Sequence, residues 1–217
     1  WETHHAVGAW APNSHLLLDV IEDYFGSSET LEQLVERGQL LQSEGLKCLY
    51  EEARRQKPRA SMALNWCFSE PWPAAANLSL VGWPDRPRPA LAAVGGSCRP
   101  VLASARIARF RWQEGDSFEP ELWVLNDTAE ELPQGRIEAV LEVGGREMPL
   151  LAWDHPPVPA NRNLAGPTAR CVLPAAPAGR MTLRLRCPGA EDRASEYVLL
   201  LEPRPLAAPA GTPTTNM

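Results

Sequence analysis

The sequence contains no long apolar run. No stretch approaches the roughly 18 apolar residues that a membrane-spanning helix needs, so we expect no membrane partner. An excess of positive charge is also missing, because the formal net charge at pH 7 is −6. That charge argues against non-specific binding of nucleic acid by the whole chain. Neither a glycine-rich phosphate loop nor a GxSxG nucleophile elbow is present, and we expect no cofactor.

Paired cysteines are missing as well. Without a CxxC pair we expect no zinc or other metal site, and the odd number of cysteines argues against a disulfide framework. We therefore expect free, buried thiols in a cytoplasmic protein. No signal peptide is visible and the first residue is Trp1, so we expect a piece of a longer protein. The five cysteines are Cys48, Cys67, Cys98, Cys171 and Cys187.

Helical signals fill residues 1–97. The longest segment, "SSETLEQLVERGQLLQSEGLKCLYEEARRQK", opens with capping residues and acids and ends with bases before Pro58, which suits a helix dipole. Shorter helices are expected at residues 15–25 and 88–95. The acids and bases near the end of the long helix are most simply a solvated face of i,i+3 and i,i+4 pairs. They are Glu51, Glu52, Arg54 and Arg55.

Short alternating runs with turn signals between them follow in residues 98–203. Residues 137, 139, 141 and 143, for example, are apolar at a period of two. About seven such strands in about 100 residues predict an antiparallel β-sandwich of immunoglobulin type. Residues 204–217 are rich in proline and small residues, and we expect them to form a flexible tail. The fold class is therefore α+β.

An aromatic stretch, "LNWCFSEPWPAAANLSLVGW", lies between the helical segments. Its first part belongs to the run "SMALNWCF", residues 61–68, which predicts a buried strand. Pro71 and Pro73 then remove backbone donors, so the strand should give way to a loop. From these residues alone, Trp66 and Trp72 are either packing residues or a wall for binding sugar.

The helix, the strand and the loop together resemble the end of the catalytic barrel in family two glycoside hydrolases, especially β-mannosidase-like members. In place of the Asn-Asp pair of that family, this chain has Ser69 and Glu70. The resemblance covers about residues 1–130 and rests on three groups of matching residues. These are Gln42, Glu44, Gly45, Leu46, Glu52, Arg54, Arg55, Lys57 and Pro58 in the helix; Trp66, Trp72, Pro73, Ser79, Pro89 and Ala90 around the strand; and Trp123, Asn126 and Asp127 in the sandwich.

The resemblance implies that residues 1–97 are the last helix and strand units of a TIM barrel, with residues 61–68 as its eighth strand. Enzymes of this family retain configuration by using a glutamate acid/base and a glutamate nucleophile. Both would precede Trp1, so the resemblance implies no catalytic residue within this chain. A β-glycoside would be the substrate of the intact enzyme, and the mechanism requires no metal.

The resemblance also implies substrate-binding roles, which compete with simpler ones. Trp66 would be a platform under the apolar face of a sugar, or else a core tryptophan. Trp72 would join it or pack on the loop. Glu70 would hold a sugar hydroxyl or orient Trp66, or else be an exposed loop carboxylate. His4 and His5 would face opposite ways on a strand, which favours a structural or exposed role.

Two other functions stay open. One is a non-catalytic scaffold, in which an unpaired eighth strand would favour self-association as a homodimer. The other is a carbohydrate-binding sandwich acting alone, which would need a row of exposed aromatic residues. Trp112, Trp123 and Trp153 are the main candidates for such a row, and most have good explanations as core residues.

Overall fold

Three helices form the first part of the chain in the computed structural model, which describes residues 17–74 and 77–204. They are α1 (Leu18–Phe25), α2 (Leu31–Arg55) and α3 (Pro89–Ser97). Among the described residues, no helix is both long and apolar enough to cross a membrane.

Helix α2 begins and ends where its sequence signals predict. Thr30 caps it, because its side-chain oxygen accepts a hydrogen bond from the backbone N–H of Gln33 at 3.2 Å. Arg54 and Arg55 lie in the last turn, where positive charge is favoured by the helix dipole. Helix α3 starts with Pro89 at its first position, which suits a residue whose missing N–H would have no partner there.

The prediction of a buried strand at residues 61–68 is wrong. These residues belong to no helix or strand, and only an isolated parallel bridge between Ser69 and Val81 follows them. A strand needs neighbours to satisfy its backbone groups, and the described part of the chain offers this segment only residues 78–81. Two very short strands come next, β1 (Val81–Gly82) and β2 (Arg86–Pro87), and they pair antiparallel.

Residues 101–202 form two sheets with a common core. The five-stranded sheet has the order β4-β12-β11-β7-β8, in which only the β12–β4 pair is parallel, and the three-stranded sheet has the order β3-β6-β9. Strands β5 and β10 form a separate antiparallel pair. The strands are β3 (Val101–Arg106), β4 (Arg111–Gln113), β5 (Ser117–Phe118), β6 (Glu121–Asn126), β7 (Gly135–Val143), β8 (Arg146–His155), β9 (Asn163–Thr168), β10 (Cys171–Val172), β11 (Gly179–Arg186) and β12 (Ser195–Glu202).

Alternation of apolar side chains positions the sheets against one another. On β7, Ile137, Ala139, Leu141 and Val143 are all buried in the common core. The neighbouring strand β11 contributes Met181 and Leu183, and strands β5 and β6 contribute Phe118 and Leu122, all of them fully enclosed. Each such side chain contributes roughly 1.5–3 kcal/mol by its removal from water. Three helices followed by largely antiparallel sheets confirm the α+β class, while the immunoglobulin-type topology stays a prediction.

Candidate functional site

The segment before the proline-rich loop exposes a row of large apolar side chains. Every second residue from position 62 to position 68 points into solvent, whereas its neighbours at 63, 65 and 67 are partly covered. This alternation is that of a strand with one bare face. The exposed fractions are 72% for Met62, 81% for Leu64, 77% for Trp66 and 65% for Phe68.

Backbone hydrogen bonds hold the end of this segment against residues 78–83. The Leu80 N–H donates to the carbonyl of Cys67 at 3.3 Å and to that of Phe68 at 3.1 Å. The Glu70 N–H in turn donates to the Val81 carbonyl at 3.0 Å. The side-chain amide of Asn65 also donates to the Cys67 carbonyl, at 2.9 Å. The backbone directly after Trp66 is thereby fixed, while its indole is left exposed.

Glu70 does not behave as an exposed loop carboxylate, because the residue is buried. Its Oε1 pairs with the guanidinium of Arg88, and its Oε2 accepts a 2.9 Å hydrogen bond from the backbone N–H of Trp83. Arg88 also donates to the carbonyl of Asn77 at 2.5 Å. The Glu70 carboxylate therefore links residue 70 to the backbone of Trp83 and to Arg88, which occupies the N-cap position of helix α3.

Trp72 and Trp83 lie on the segment that Glu70 closes, which we call the aromatic loop (residues 70–74 and 77–83). Trp72 is exposed and Trp83 is half-exposed. Both indoles are therefore accessible to solvent over much of their surface. The row before the loop and the aromatic loop together leave three tryptophans available to a ligand or a partner.

A buried polar cluster joins helix α2 to the sandwich, and sequence reasoning missed it. Glu51 and Arg55 were expected on a solvated face, but both are buried. Glu51 accepts hydrogen bonds from Ser104 at 2.5 Å and from the Tyr197 hydroxyl at 2.7 Å. Arg55 donates to Ser104 at 2.5 Å and lies 3.6 Å from Glu51. We call these four residues the helix–sandwich cluster.

Charges adjoin this cluster on its solvent side. Glu52 pairs with Arg55 at 2.9 Å and with Arg106 on β3 at 2.9 Å. Burial alone would raise the pKa of Glu52, but hydrogen bonds from Arg106, Arg55 and Gln56 outweigh it and lower the pKa to about 2. Burial raises the pKa of Tyr197, which the neighbouring Glu51 charge raises further. Glu52 therefore stays charged and Tyr197 stays a neutral donor.

The end of α2 makes a second polar contact with the sandwich. Arg54 lies 3.0 Å from Asp127, and Lys57 also pairs with Asp127. Asn126, the residue before it, is fully buried and donates to the carbonyls of Glu130 and Pro159, each at 3.0 Å. Arg54 and Lys57 of the helix match and Asp127 of the sandwich match, which were noted separately in the sequence, thus meet at one junction.

A cavity lies elsewhere in the described part of the chain. It has a volume of about 630 Å³ and lies between helices α1 and α2 and the β3–β4 connection. Leu34, Val35, Ile107 and Phe110 are among its mainly apolar lining residues, and Glu51 and Tyr197 also line it. Trp66, Glu70 and Trp72 do not line this cavity. Of the three residues expected to bind substrate, Trp66 and Trp72 are exposed and Glu70 is buried.

Thiols and possible metal ligands add no further site. All five cysteines are free, but Cys48 and Cys98 are exposed, so the expectation of buried thiols is wrong for these two. Within residues 17–74 and 77–204, no group of three His, Cys, Asp or Glu residues could hold a metal ion. His4 and His5 lie outside the described residues.

Comparison with solved structures shows which fold this is. Over 91% of its length the chain matches the exo-β-D-glucosaminidase CsxA, with a TM-score of 0.72 and 17% identity, and it covers 23% of that enzyme. Over 84% of its length it matches a β-D-mannosidase from Dictyoglomus thermophilum, with a TM-score of 0.64 and 20% identity, and it covers 22% of that enzyme. No protein-family model and no curated protein matches the sequence.

Both structures are family two glycoside hydrolases, so most of the chain shares the fold of a portion of such enzymes. The identities are low enough that this likeness concerns the fold alone. The chain also spans less than a quarter of the length of either enzyme.

Proposed function

We propose that this chain is the C-terminal segment of a retaining β-glycosidase of family two, and that Trp66 is its sugar platform. The observation that carries the proposal is the exposed indole of Trp66, 77% accessible, on a backbone fixed from the other side by Leu80 and Asn65. An indole face covers the apolar face of a sugar ring, while hydroxyl groups bond elsewhere. The matched fold of two family two enzymes supports the same assignment.

In this proposal the chain supplies binding and support, and the rest of the enzyme supplies the chemistry. Retaining hydrolysis needs one carboxylic acid to protonate the leaving oxygen and one carboxylate to attack the anomeric carbon. We assign both to the parent enzyme outside residues 1–217. The chain would contribute Trp66 as the platform, Trp72 as a second binding residue, and the helix–sandwich unit as support. The substrate class is a β-glycoside, of which mannosides and glucosaminides are the first candidates.

The test is hydrolysis of a panel of p-nitrophenyl β-glycosides by the longest natural chain that contains residues 1–217. We expect turnover of one glycoside, with β-mannoside and β-glucosaminide as the leading members. The 217-residue chain alone serves as the matched control and should release no p-nitrophenol. Absence of turnover on every substrate by the long chain would refute the glycosidase assignment.

A second candidate function is a non-catalytic scaffold that associates with itself. It is favoured by the exposed row of Met62, Leu64, Trp66 and Phe68, since a bare strand-like face with large apolar side chains promotes association. Sedimentation velocity of the 217-residue chain should then show a homodimer. Leu64→Asp should dissociate that dimer, whereas Val172→Asp, at an exposed apolar residue of the sandwich, should not.

A sandwich that binds carbohydrate by itself receives less support. Trp112 is buried, and Trp123 is covered by the Arg106 guanidinium at 5.1 Å. The Trp153 ring packs edge-on to His155 at 5.8 Å. These contacts occupy the tryptophans that an exposed binding row would require.

A further inference from the structure

Glu70 is the only acidic residue between positions 52 and 85. Its contacts distinguish a residue that binds sugar from one that holds other residues of the chain in place. It is 6% exposed, and each of its carboxylate oxygens already accepts a hydrogen bond, from Arg88 and from the Trp83 N–H. A sugar on the exposed surface therefore has little access to this carboxylate. The contacts suit a residue that acts on other residues of the chain.

Hydrogen bonds connect Glu70 to Trp66 in short steps. The Glu70 side chain holds the N–H of Trp83, which follows the Val81–Gly82 strand β1. The backbone N–H of Glu70 donates to the Val81 carbonyl. The N–H of Leu80, the residue before Val81, donates to the carbonyl of Cys67, the residue directly after Trp66. Hydrogen bonds thus connect the Glu70 carboxylate, through residues 80–83, to the carbonyl that follows Trp66.

Arg88 completes the arrangement from the side of helix α3. Its guanidinium reaches both Glu70 and the Asn77 carbonyl, and its backbone N–H donates to Leu80 at 2.9 Å. The ion pair is shielded from solvent, because the side-chain exposures are 19% for Arg88 and 4% for Glu70. Removing one partner of such a pair leaves the other charge without compensation.

We propose that Glu70 and Arg88 are a positioning pair, which holds the aromatic loop so that Trp66 presents its indole to the sugar. Because the proposed function assigns Trp66 its sugar-binding role, this positioning role depends on it. Glu70 is assigned no contact with substrate. The pair acts through residues 78–83.

A double-mutant cycle on the longest natural chain tests this role. Glu70→Ala should lower kcat/KM roughly 10- to 100-fold on the glycoside that the enzyme turns over, since small displacements of a binding group have effects of that size. In a Trp66→Ala background the same change should cost less than about threefold, because residues that act through one another are not additive. Glu70→Gln, which keeps an acceptor for the Trp83 N–H, should fall between the unchanged enzyme and Glu70→Ala. Full additivity of the Glu70 and Trp66 effects would overturn the proposal.

Hydrogen exchange provides a readout that needs no sugar. In Glu70→Ala, peptides covering residues 77–83 should exchange faster, whereas Asp154→Ala, in the exposed pair of Arg136 and Asp154, should leave them unchanged. Unchanged exchange in Glu70→Ala would also overturn the proposal. If the wild-type enzyme hydrolyses no glycoside, the proposed function and the positioning of a sugar platform are both refuted. The exchange result would then still decide whether the pair holds the loop.

Discussion

The hydroxyl of Tyr197 on strand β12 donates a 2.7 Å hydrogen bond to Oε2 of Glu51 on helix α2. The Tyr197 hydroxyl oxygen itself accepts a hydrogen bond from the backbone N–H of Ala105 on strand β3 at 2.9 Å. One phenol therefore connects the helix to both sheets of the sandwich. Since burial raises the pKa of Tyr197, the hydroxyl stays protonated and able to donate at neutral pH.

Removing that hydroxyl should weaken the whole unit. Tyr197→Phe leaves the Ala105 N–H without its acceptor in a buried site, which costs about 1–3 kcal/mol of the free energy of unfolding. The measurement is urea unfolding of the variant followed by circular dichroism. Tyr50→Phe is the matched control, because Tyr50 lies on helix α2 but outside the helix–sandwich cluster, and it should change the free energy by less than about 0.5 kcal/mol. Equal effects of the two substitutions would contradict the account.

The charge within the helix–sandwich cluster should matter more than charge on the surface. Arg55→Met leaves Glu51 buried without its cation and should destabilise the protein by roughly 3–5 kcal/mol. Arg136→Met removes an exposed arginine, whose side chain is 46% accessible, and should leave the stability nearly unchanged. Thermal unfolding of the two variants side by side distinguishes these outcomes. A similar loss in both would place Arg55 on a solvated face after all.

Two glycines should respond to alanine in opposite directions. A Cβ at Gly166 on β9 would lie 2.3 Å from Cζ3 of Trp153, so Gly166→Ala should destabilise the sandwich by about 1–3 kcal/mol. Gly45 lies inside helix α2, where an added Cβ meets nothing within 4 Å. Gly45→Ala should therefore stabilise by about 0.5–1 kcal/mol. Calorimetric melting temperatures that move in the same direction would contradict this reading of the packing.

Thiol reactivity should separate the cysteines by burial. Cys187 lies in the sandwich core, and burial raises the pKa of its thiol to about 11, so little thiolate forms near neutral pH. Iodoacetamide at pH 8 should modify the exposed Cys48 and Cys98 in the folded protein and should reach Cys187 only in denaturant. Peptide mass spectrometry reads out each site. Modification of Cys187 in the folded protein as fast as Cys98 would show that the core is open.

Sequence patterns predicted where helix α2 lies better than they predicted which of its side chains are buried against the sandwich. Helix α2 could be located from its Thr30 cap and its terminal bases, because these act within the helix. The burial of Glu51 and Arg55 could not be read, since charges at i,i+4 have the same spacing whether they face water or a partner. Their binding partners lie about 50 residues away on β3 and 146 residues away on β12, and nothing local indicates that contact.

At the candidate site, too, local sequence signals did not indicate contacts between residues that are distant in the sequence. The apolar run at residues 61–68 predicted a buried strand, but the pairing that would bury it depends on neighbours not found among the described residues. An exposed loop carboxylate was one of the alternatives for Glu70, and its burial could not be predicted because its partner Arg88 is 18 residues away. Strand β9 was missed because Gly166 and Pro167 interrupt its apolar pattern.

The most direct test of the account concerns Trp66 itself. On the glycoside that the longest natural chain hydrolyses, kcat/KM of Trp66→Ala is to be compared with that of Leu64→Ala, which removes another exposed apolar side chain from the same row. We predict a roughly 10- to 100-fold loss for Trp66→Ala, which corresponds to about 1.4–2.7 kcal/mol of transition-state binding, and a near-normal value for Leu64→Ala. Equal activity of the two variants would show that the indole does not bind the sugar and would contradict the central claim.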